Sequence, residues 1–224
     1  NEDTFEKSNI DTVRVAGAAL DRDGYAHSIL LLGFLFQDTD RADRLLALYD
    51  ECFDLIAKNS MNGAKSGCAA SMNGYLSSDG SDYTDVLLHA GLKFGLEGYD
   101  FGSSTSVKTA DHLDVWDTTK YDWDYIVHIR TALGYGTVSE STLKAYADSF
   151  SLWKNKDGVG QFALTGAAPA PLRVLYLEAG LNDNLSKETV DALHQRFIDD
   201  FFEANHNLKA SELTMLVDCS TLYA

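Results

Sequence analysis

The chain has 224 residues, of which 45% are hydrophobic and 23% are charged, an ordinary composition for a globular protein long enough to bury a full core. Its 34 acidic and 18 basic residues give a net charge of −16, which disfavours nucleic acid as a partner because phosphate binding needs clustered lysine and arginine. No apolar run approaches the ~20 residues that a transmembrane helix requires, so we expect no membrane span.

Helical periodicity runs through most of the chain. Tyr25–Gln37 is strongly apolar, and after a polar turn at Asp38 apolar residues recur at three- and four-residue spacing from Leu45 to Ile56, which predicts a helical hairpin. Further helices are expected around Cys68 and over Tyr83–Leu96, Tyr125–Leu133, Ser139–Trp153, Leu172–Ala179 and Lys187–Ala204. The tail segment Leu213–Val217 fits either a strand or a docked helix.

These patterns predict an all-α or α-dominant fold, an irregular helical array of about seven or eight helices with long loops and at most minor β structure. A chain of this length is expected to form a single domain over residues 1–224, with two packed halves, 1–110 and 111–224, as the alternative. Long connections inside a compact domain are often functional, and two of them flank residues 111–128.

The cysteine and acid content bears on the setting of the protein. Three cysteines make an odd number and no disulfide framework, although Cys52 and Cys68 could pair in an oxidising compartment. The sequence begins at Asn1 rather than Met and carries one N-glycosylation pattern, at Asn184, which favours a secreted, extracellular or periplasmic protein over a cytoplasmic one. Aspartate outnumbers glutamate by 25 to 9, and aspartate prefers caps, turns and oxygen-ligand sites.

Residues 111–128 hold the densest group of side chains able to form a site, with five aspartates within fourteen residues. A helix beginning near Tyr125 would place Asp124 and His128, four residues apart, on one face. Loop residues before that helix could complete a divalent-cation site, for calcium if carboxylates dominate, or for manganese, iron or zinc if imidazole joins them. The predicted metal ligands are Asp111, His112, Asp114, Asp124 and His128.

The same residues admit a second chemistry. Two carboxylates can hydrolyse a glycosidic bond while an aromatic ring stacks against the sugar, and the predicted ligand-binding rings are Trp116, Trp123 and Tyr121. A third interpretation makes the rings core anchors and leaves the neighbouring aspartates to cap helices and face water.

The leading hypothesis is a non-catalytic binding or assembly protein, extracellular or envelope-associated, with protein or carbohydrate partners and a divalent cation as its cofactor. No nucleophile elbow, phosphate-binding loop, dinucleotide fingerprint or zinc-protease motif occurs in the sequence, which favours binding over catalysis. The alternative is a carbohydrate-active hydrolase or lyase that uses residues 111–128. A structural subunit of a larger assembly is the third hypothesis.

Overall fold

The computed structural model describes residues 21–70, 74–117, 119–121, 123–130, 141, 160–165, 168–201, 209–210 and 215–218. These residues form five α-helices, a short 3₁₀ helix at Leu113–Trp116 and a mixed β-sheet. The helices are α1 (Arg22–Phe36), α2 (Thr39–Asn59), α3 (Asp82–His89), α4 (Ala170–Leu181) and α5 (Lys187–Phe201). The strands are β1 (Ser66–Ala70), β2 (Tyr75–Ser77), β3 (Lys93–Phe94), β4 (Ser106–Lys108), β5 (Tyr125–Arg130), β6 (Gly160–Thr165) and β7 (Met215–Asp218).

Helices α1 and α2 form the predicted hairpin, and local signals explain both ends. Asp21 and Asp38 cap the two helices by accepting hydrogen bonds from backbone amides of the first turns. Gln37 ends α1 in the left-handed conformation, with φ of 57°. The helices pack closely because Gly33 faces Ala42: a Cβ atom at position 33 would lie 2.5 Å from the Ala42 Cβ.

The strands are ordered β4-β2-β1-β5-β6-β7, and β3 pairs with the beginning of β1. The central strands β1, β5 and β6 are parallel, with Cys68 opposite Ile126 and Ile126 opposite Gln161. On either side β2 and β7 pair antiparallel to their neighbours. Parallel strands of this kind are normally covered on both faces.

Alternating residues of β1 and β5 separate two hydrophobic cores. Ala69 and Val127 belong to the larger core, built with α2, α3, α4 and α5, and we call this side the helical face. Cys68 and Ile126 point the other way, into a core to which no α-helix of the described residues contributes, and we call that side the loop-covered face. The loop-covered core is completed by Ala70, Leu76, Leu96, Val107, Val115 and Trp123.

The expectation of an all-α or α-dominant array is wrong. The residues around Cys68 form β1 and those from Tyr125 form β5, where helices were predicted. A strand buried on both faces shows a continuous run of small or apolar residues without alternation, and such a short run cannot be distinguished from a buried helix by periodicity.

Other predicted elements have mixed outcomes. Helices α4 and α5 occur where their patterns were found, and the tail forms strand β7. Helix α3 ends earlier than predicted, at His89, because the chain turns at Gly91 with φ of 81°. The predicted helix Ser139–Trp153 lies outside the described residues apart from Ser141.

The structure also bears on the predictions for the cysteines, for a membrane span and for the domain division. Cys52 and Cys68 are both buried, and no disulfide joins them to each other. Within the part of the chain that the structure describes, no helix combines the length and the apolarity needed to cross a membrane. Strand β1 lies before residue 110 and pairs with β5, which lies after it, while the division of the chain into one domain or two halves stays a prediction.

Candidate functional site

A cleft opens on the helical face where α3 and α4 begin, and we call it the α3–α4 cleft. Helix α4 starts five residues after β6 ends at Thr165, and ligands of open α/β sheets bind outside the carboxyl ends of the strands. Two adjoining cavities of about 450 and about 300 Å³ form the cleft and share Ser81, Tyr83 and Thr105. The other lining residues are Tyr75, Ser77, Gly80, Asp82, Val86, Ser106, Ala170 and Arg173.

Arg173 supplies the positive charge of this lining. It lies in the first turn of α4, half-buried, and its Nε donates a hydrogen bond of 2.9 Å to the carbonyl oxygen of Ala168. Burial lowers the pKa of Arg173, while Tyr25, Tyr83 and Asp82 act in the opposite direction. An arginine stays protonated at neutral pH even so, and its planar fork is suited to a carboxylate or a phosphate.

The helix ends strengthen the preference for an anionic group. Ser81 caps α3 by accepting a hydrogen bond of 3.2 Å from the amide of Tyr83. The amides at the starts of α3 and α4 carry partial positive charge, and the carboxylate of Asp82 in the same lining offsets part of the charge of Arg173. Around them the hydroxyl groups of the lining can donate or accept hydrogen bonds. The lining offers hydrogen bonds and charge to a ligand, and its described residues include neither histidine nor cysteine.

The structure separates the predicted metal ligands Asp124 and His128. Because β5 is a strand, a spacing of four residues corresponds to roughly 13 Å rather than one helical turn. Asp124 accepts hydrogen bonds from the Ser66 amide (3.0 Å) and from Lys65 Nζ (3.4 Å), so its carboxylate attaches β5 to the beginning of β1. His128 is 1% exposed, and burial lowers the pKa of its imidazole to about 3.

Of the predicted loop ligands, His112 and Asp114 both contact the hydroxyl of Tyr99. The Tyr99 hydroxyl donates to Asp114 Oδ1 at 3.3 Å and lies 2.9 Å from Nδ1 of His112. Asp111 is exposed in the preceding turn. Among the described residues, no group of three or more histidine, cysteine and acidic side chains could hold a metal ion. The geometry therefore gives the divalent-cation site no support.

The predicted ligand-binding rings pack against their own neighbours. Trp116 and Trp123 lie with ring centroids 5.5 Å apart, and Trp123 is 2% exposed in the loop-covered core. Tyr121 packs edge-on against Tyr99, with ring centroids 5.7 Å apart. A sugar stacks on an accessible ring face, which the buried Trp123 lacks, while Trp116 and Tyr121 are partly buried against the same core, so this arrangement does not support a carbohydrate partner or a hydrolase.

Sequence reasoning missed the residues of the cleft, although one signal was visible. Between Lys156 and Lys187 the only basic residue is Arg173, and it lies in a mainly apolar helix that begins beside Pro169 and Pro171 and contains one acidic residue, Glu178. A cationic residue in such a helix indicates a defined partner, either structural or a ligand. Nothing local in the sequence connects it to Ser81 or Tyr83.

Comparison with known proteins identifies the fold but no sequence family. No protein-family model matches the chain, and no curated protein matches it in sequence. Solved structures do match. The TroA-like periplasmic binding protein FepB from Veillonella parvula has a TM-score of 0.67 at 15% identity, over 89% of this chain and 64% of that one. The chain has the fold of periplasmic binding proteins.

Two further structures agree on this α/β architecture. An ABC transporter substrate-binding protein from Listeria monocytogenes has a TM-score of 0.56 at 15% identity, over 82% of this chain and 72% of that one. A periplasmic heme binding protein from Pseudomonas aeruginosa has a TM-score of 0.54 at 14% identity, over 83% and 68%. The chain spans less than two thirds of the length of FepB, and identities this low establish the fold alone.

Proposed function

We propose that the chain is a non-catalytic solute-binding protein of the periplasm or cell exterior, and that the α3–α4 cleft holds a small anionic ligand. The observation that carries the proposal is the half-buried Arg173, placed at the start of α4 among the hydroxyls of the cleft. A concave site with a few convergent polar groups is typical of small-molecule binding. The fold of periplasmic binding proteins supports the same function.

As the ligand class we propose an iron-bearing organic anion, with hemin as the first compound to test. Arg173 would bind a carboxylate of such a ligand, because guanidinium and carboxylate form paired, charge-assisted hydrogen bonds. The Tyr83 phenol lines the same cleft, and tyrosine is one of the residues by which proteins hold haem iron. The heme binding protein among the structural neighbours supports this choice.

As the partner we propose a membrane transporter that receives the ligand, in line with the Listeria monocytogenes neighbour, an ABC transporter substrate-binding protein. Transfer of this kind requires reversible binding without chemical change of the ligand. A cleft that supplies charge and hydroxyl groups fits that requirement.

Hemin titration, followed by the change in its visible absorbance, tests the proposal directly. We expect saturable binding, and we expect Arg173→Gln to weaken it about tenfold to a hundredfold, because a charge-assisted hydrogen bond is worth roughly 1.5–3 kcal/mol. Arg173→Lys keeps the charge without the fork and should have an intermediate affinity. The matched control is Arg44→Gln, which removes the same charge from an exposed position on α2.

Two results would count against this function. If hemin binds equally well to Arg173→Gln and to the original chain, the cleft is not where the ligand lies. If neither hemin nor ferric citrate binds, the iron part of the proposal fails, and a panel of other carboxylates then tests the anionic part. Circular dichroism melts of each variant separate a loss of ligand contact from a loss of folding, since Arg173 also bonds the Ala168 carbonyl.

A further inference from the structure

The larger cavity of the α3–α4 cleft holds two opposite charges. It measures about 450 Å³, and both Arg173 and Asp82 line it. The adjoining cavity of about 300 Å³ is lined by tyrosine, serine and threonine residues alone. Among the described residues, the cleft therefore has a charged half in which the two charges balance, and a second half that offers hydroxyl groups.

Neither charge is fully paired within the protein. Arg173 donates from Nε to the Ala168 carbonyl oxygen, and its two terminal nitrogens form no hydrogen bond to any residue that the structure describes. Asp82 is exposed in the first turn of α3, and within the same part of the chain its side chain forms neither a hydrogen bond nor an ion pair. A cation and an anion that line one cavity without pairing leave donors and acceptors for a third group.

The two charges lie close to one buried side chain. Burial raises the pKa of the Tyr25 phenol, Arg173 lowers it, and Asp82 raises it further. Tyr25 is 6% exposed, and charges act at such range only within about 10 Å in salt solution. Arg173 and Asp82 are therefore near enough for one small molecule in the cavity to contact both.

The stability of α3 does not account for Asp82 in the cavity. A carboxylate in the first turn of a helix is favoured by the partial positive charge there. Asp85 lies in the same turn of α3, supplies that interaction, and is absent from the described lining of the cleft. A ligand with only negative groups would be repelled by Asp82, because like charges placed side by side weaken binding. The pair of charges favours a ligand that carries both signs.

We propose that the ligand of the α3–α4 cleft is zwitterionic, with a carboxylate bound by Arg173 and a protonated amine bound by Asp82. This inference rests on the proposed function and narrows its ligand to an organic anion that also bears an amine. The uncharged polar remainder of the ligand lies against the hydroxyl groups of the smaller cavity. Charge complementarity determines selectivity more than affinity, so Asp82 is the residue that discriminates against plain carboxylates.

Two hemin derivatives test this selectivity by visible absorbance. In one derivative a single propionate is converted to its aminoethyl amide, and in the other to its propyl amide, while the second carboxylate is kept. The two compounds differ only in a terminal ammonium in place of a methyl group. We expect the original chain to bind the aminoethyl amide about tenfold more tightly, the low end for a charge-assisted hydrogen bond because Asp82 is exposed.

Three variants assign the preference to its residues. Asp82→Asn should bind the two derivatives equally, and it should bind hemin at least as tightly as the original chain does. The matched control is Asp85→Asn, which removes the same charge from the same helical turn and should keep the preference. Arg173→Gln should weaken binding of both derivatives alike, because both retain the carboxylate. Circular dichroism melts confirm that each variant is folded.

The outcomes separate this inference from the proposed function. Equal binding of the two derivatives to the original chain, weakened by Arg173→Gln, overturns the zwitterionic ligand and leaves the proposed function standing. A preference that survives Asp82→Asn also overturns it. If no porphyrin binds, the choice of hemin has failed, and calorimetry compares phenylalanine with phenylpropionate, which lacks only the amine. Tighter binding of phenylalanine that is lost in Asp82→Asn then supports the charge pair, and any other result overturns it.

Discussion

Residues 111–128, which supply Val115, Trp123 and Ile126 to the loop-covered core, contain five aspartates and four aromatic rings, whereas the α3–α4 cleft on the helical face collects residues from four separate elements. The first region is conspicuous in the sequence and uses its side chains mainly for packing and attachment. The second is inconspicuous in the sequence and forms a concave, polar surface. A concentration of reactive residue types along the chain is therefore poor evidence for a site when those residues do not converge in space.

The physical reason lies in what covers each face. Four helices pack on the helical face, but no α-helix packs on the other side among the described residues. The chain covers that side with loops and a 3₁₀ helix, and large rings bury the most area for each residue they use. Trp116 and Trp123 supply such rings, and Val115 packs in the same core. Asp124 of the same segment accepts a hydrogen bond from the Ser66 amide and pairs with Lys65.

The largest effect that would sharpen this comparison is expected at Trp123. Trp123→Ala should lower the free energy of unfolding by about 3–5 kcal/mol, because it removes a buried indole and leaves a cavity in the loop-covered core. Urea denaturation measures this loss. Leu113→Ala, at a side chain that is 63% exposed in the same segment, should change the value by less than about 0.5 kcal/mol. If the two variants were equally stable, the structural role of the segment would be refuted.

Two buried groups predict opposite responses to pH. Glu178 is fully buried in α4 on the helical side, and burial raises the pKa of its carboxyl from 4.5 to about 8. The folded chain thus holds a proton that the unfolded chain releases, so stability falls between pH 4.5 and pH 8 and levels off above that, by roughly 1 kcal/mol per pH unit. Glu178→Gln should remove this slope while leaving stability at pH 5 nearly unchanged.

The buried His128 changes the pH dependence of stability in the opposite direction and over a different pH range. His128 on the loop-covered side has its pKa lowered from 6.5 to about 3, so it destabilises the fold as pH falls below 6.5. Between pH 7 and 8 it is neutral in both states, and the difference in unfolding free energy between Glu178→Gln and the original chain isolates the carboxyl. An equal slope in both chains over that range would show that Glu178 is ionised in the folded state.

A smaller effect separates two aspartates of residues 111–128. Asp124→Ala should cost about 1–2 kcal/mol, because the Ser66 amide loses its acceptor and Lys65 loses its ion pair. Asp111→Ala, at an exposed turn position, should change stability by no more than about 0.5 kcal/mol. Thermal melts with EDTA and then with calcium or manganese belong to the same experiment: a cation-dependent gain that both substitutions abolish would restore the metal hypothesis.

Much of the helical layer could be predicted from the sequence because its signals are local. The aspartates that cap α1 and α2, the prolines at the start of α4 and the periodicity of α5 act within a few residues of the elements they define. The strands could not be predicted in the same way. Ser66–Ala70 contains small residues and β5 begins with the apolar run Tyr125–Val127, and both patterns arise because the strands are buried on two faces, a property of the assembled sheet.

The sequence by itself determined the acidic charge, the helical hairpin and the apolar composition of α1, since each depends on composition or on neighbours three to four residues away. Only the tertiary structure decided where a ligand can bind. Tyr83 and Arg173 are ninety residues apart in the chain, and they meet because α3 and α4 pack together on one face of the sheet. The same sheet separates Asp124 from His128, because a strand extends over the distance that a helix would have closed.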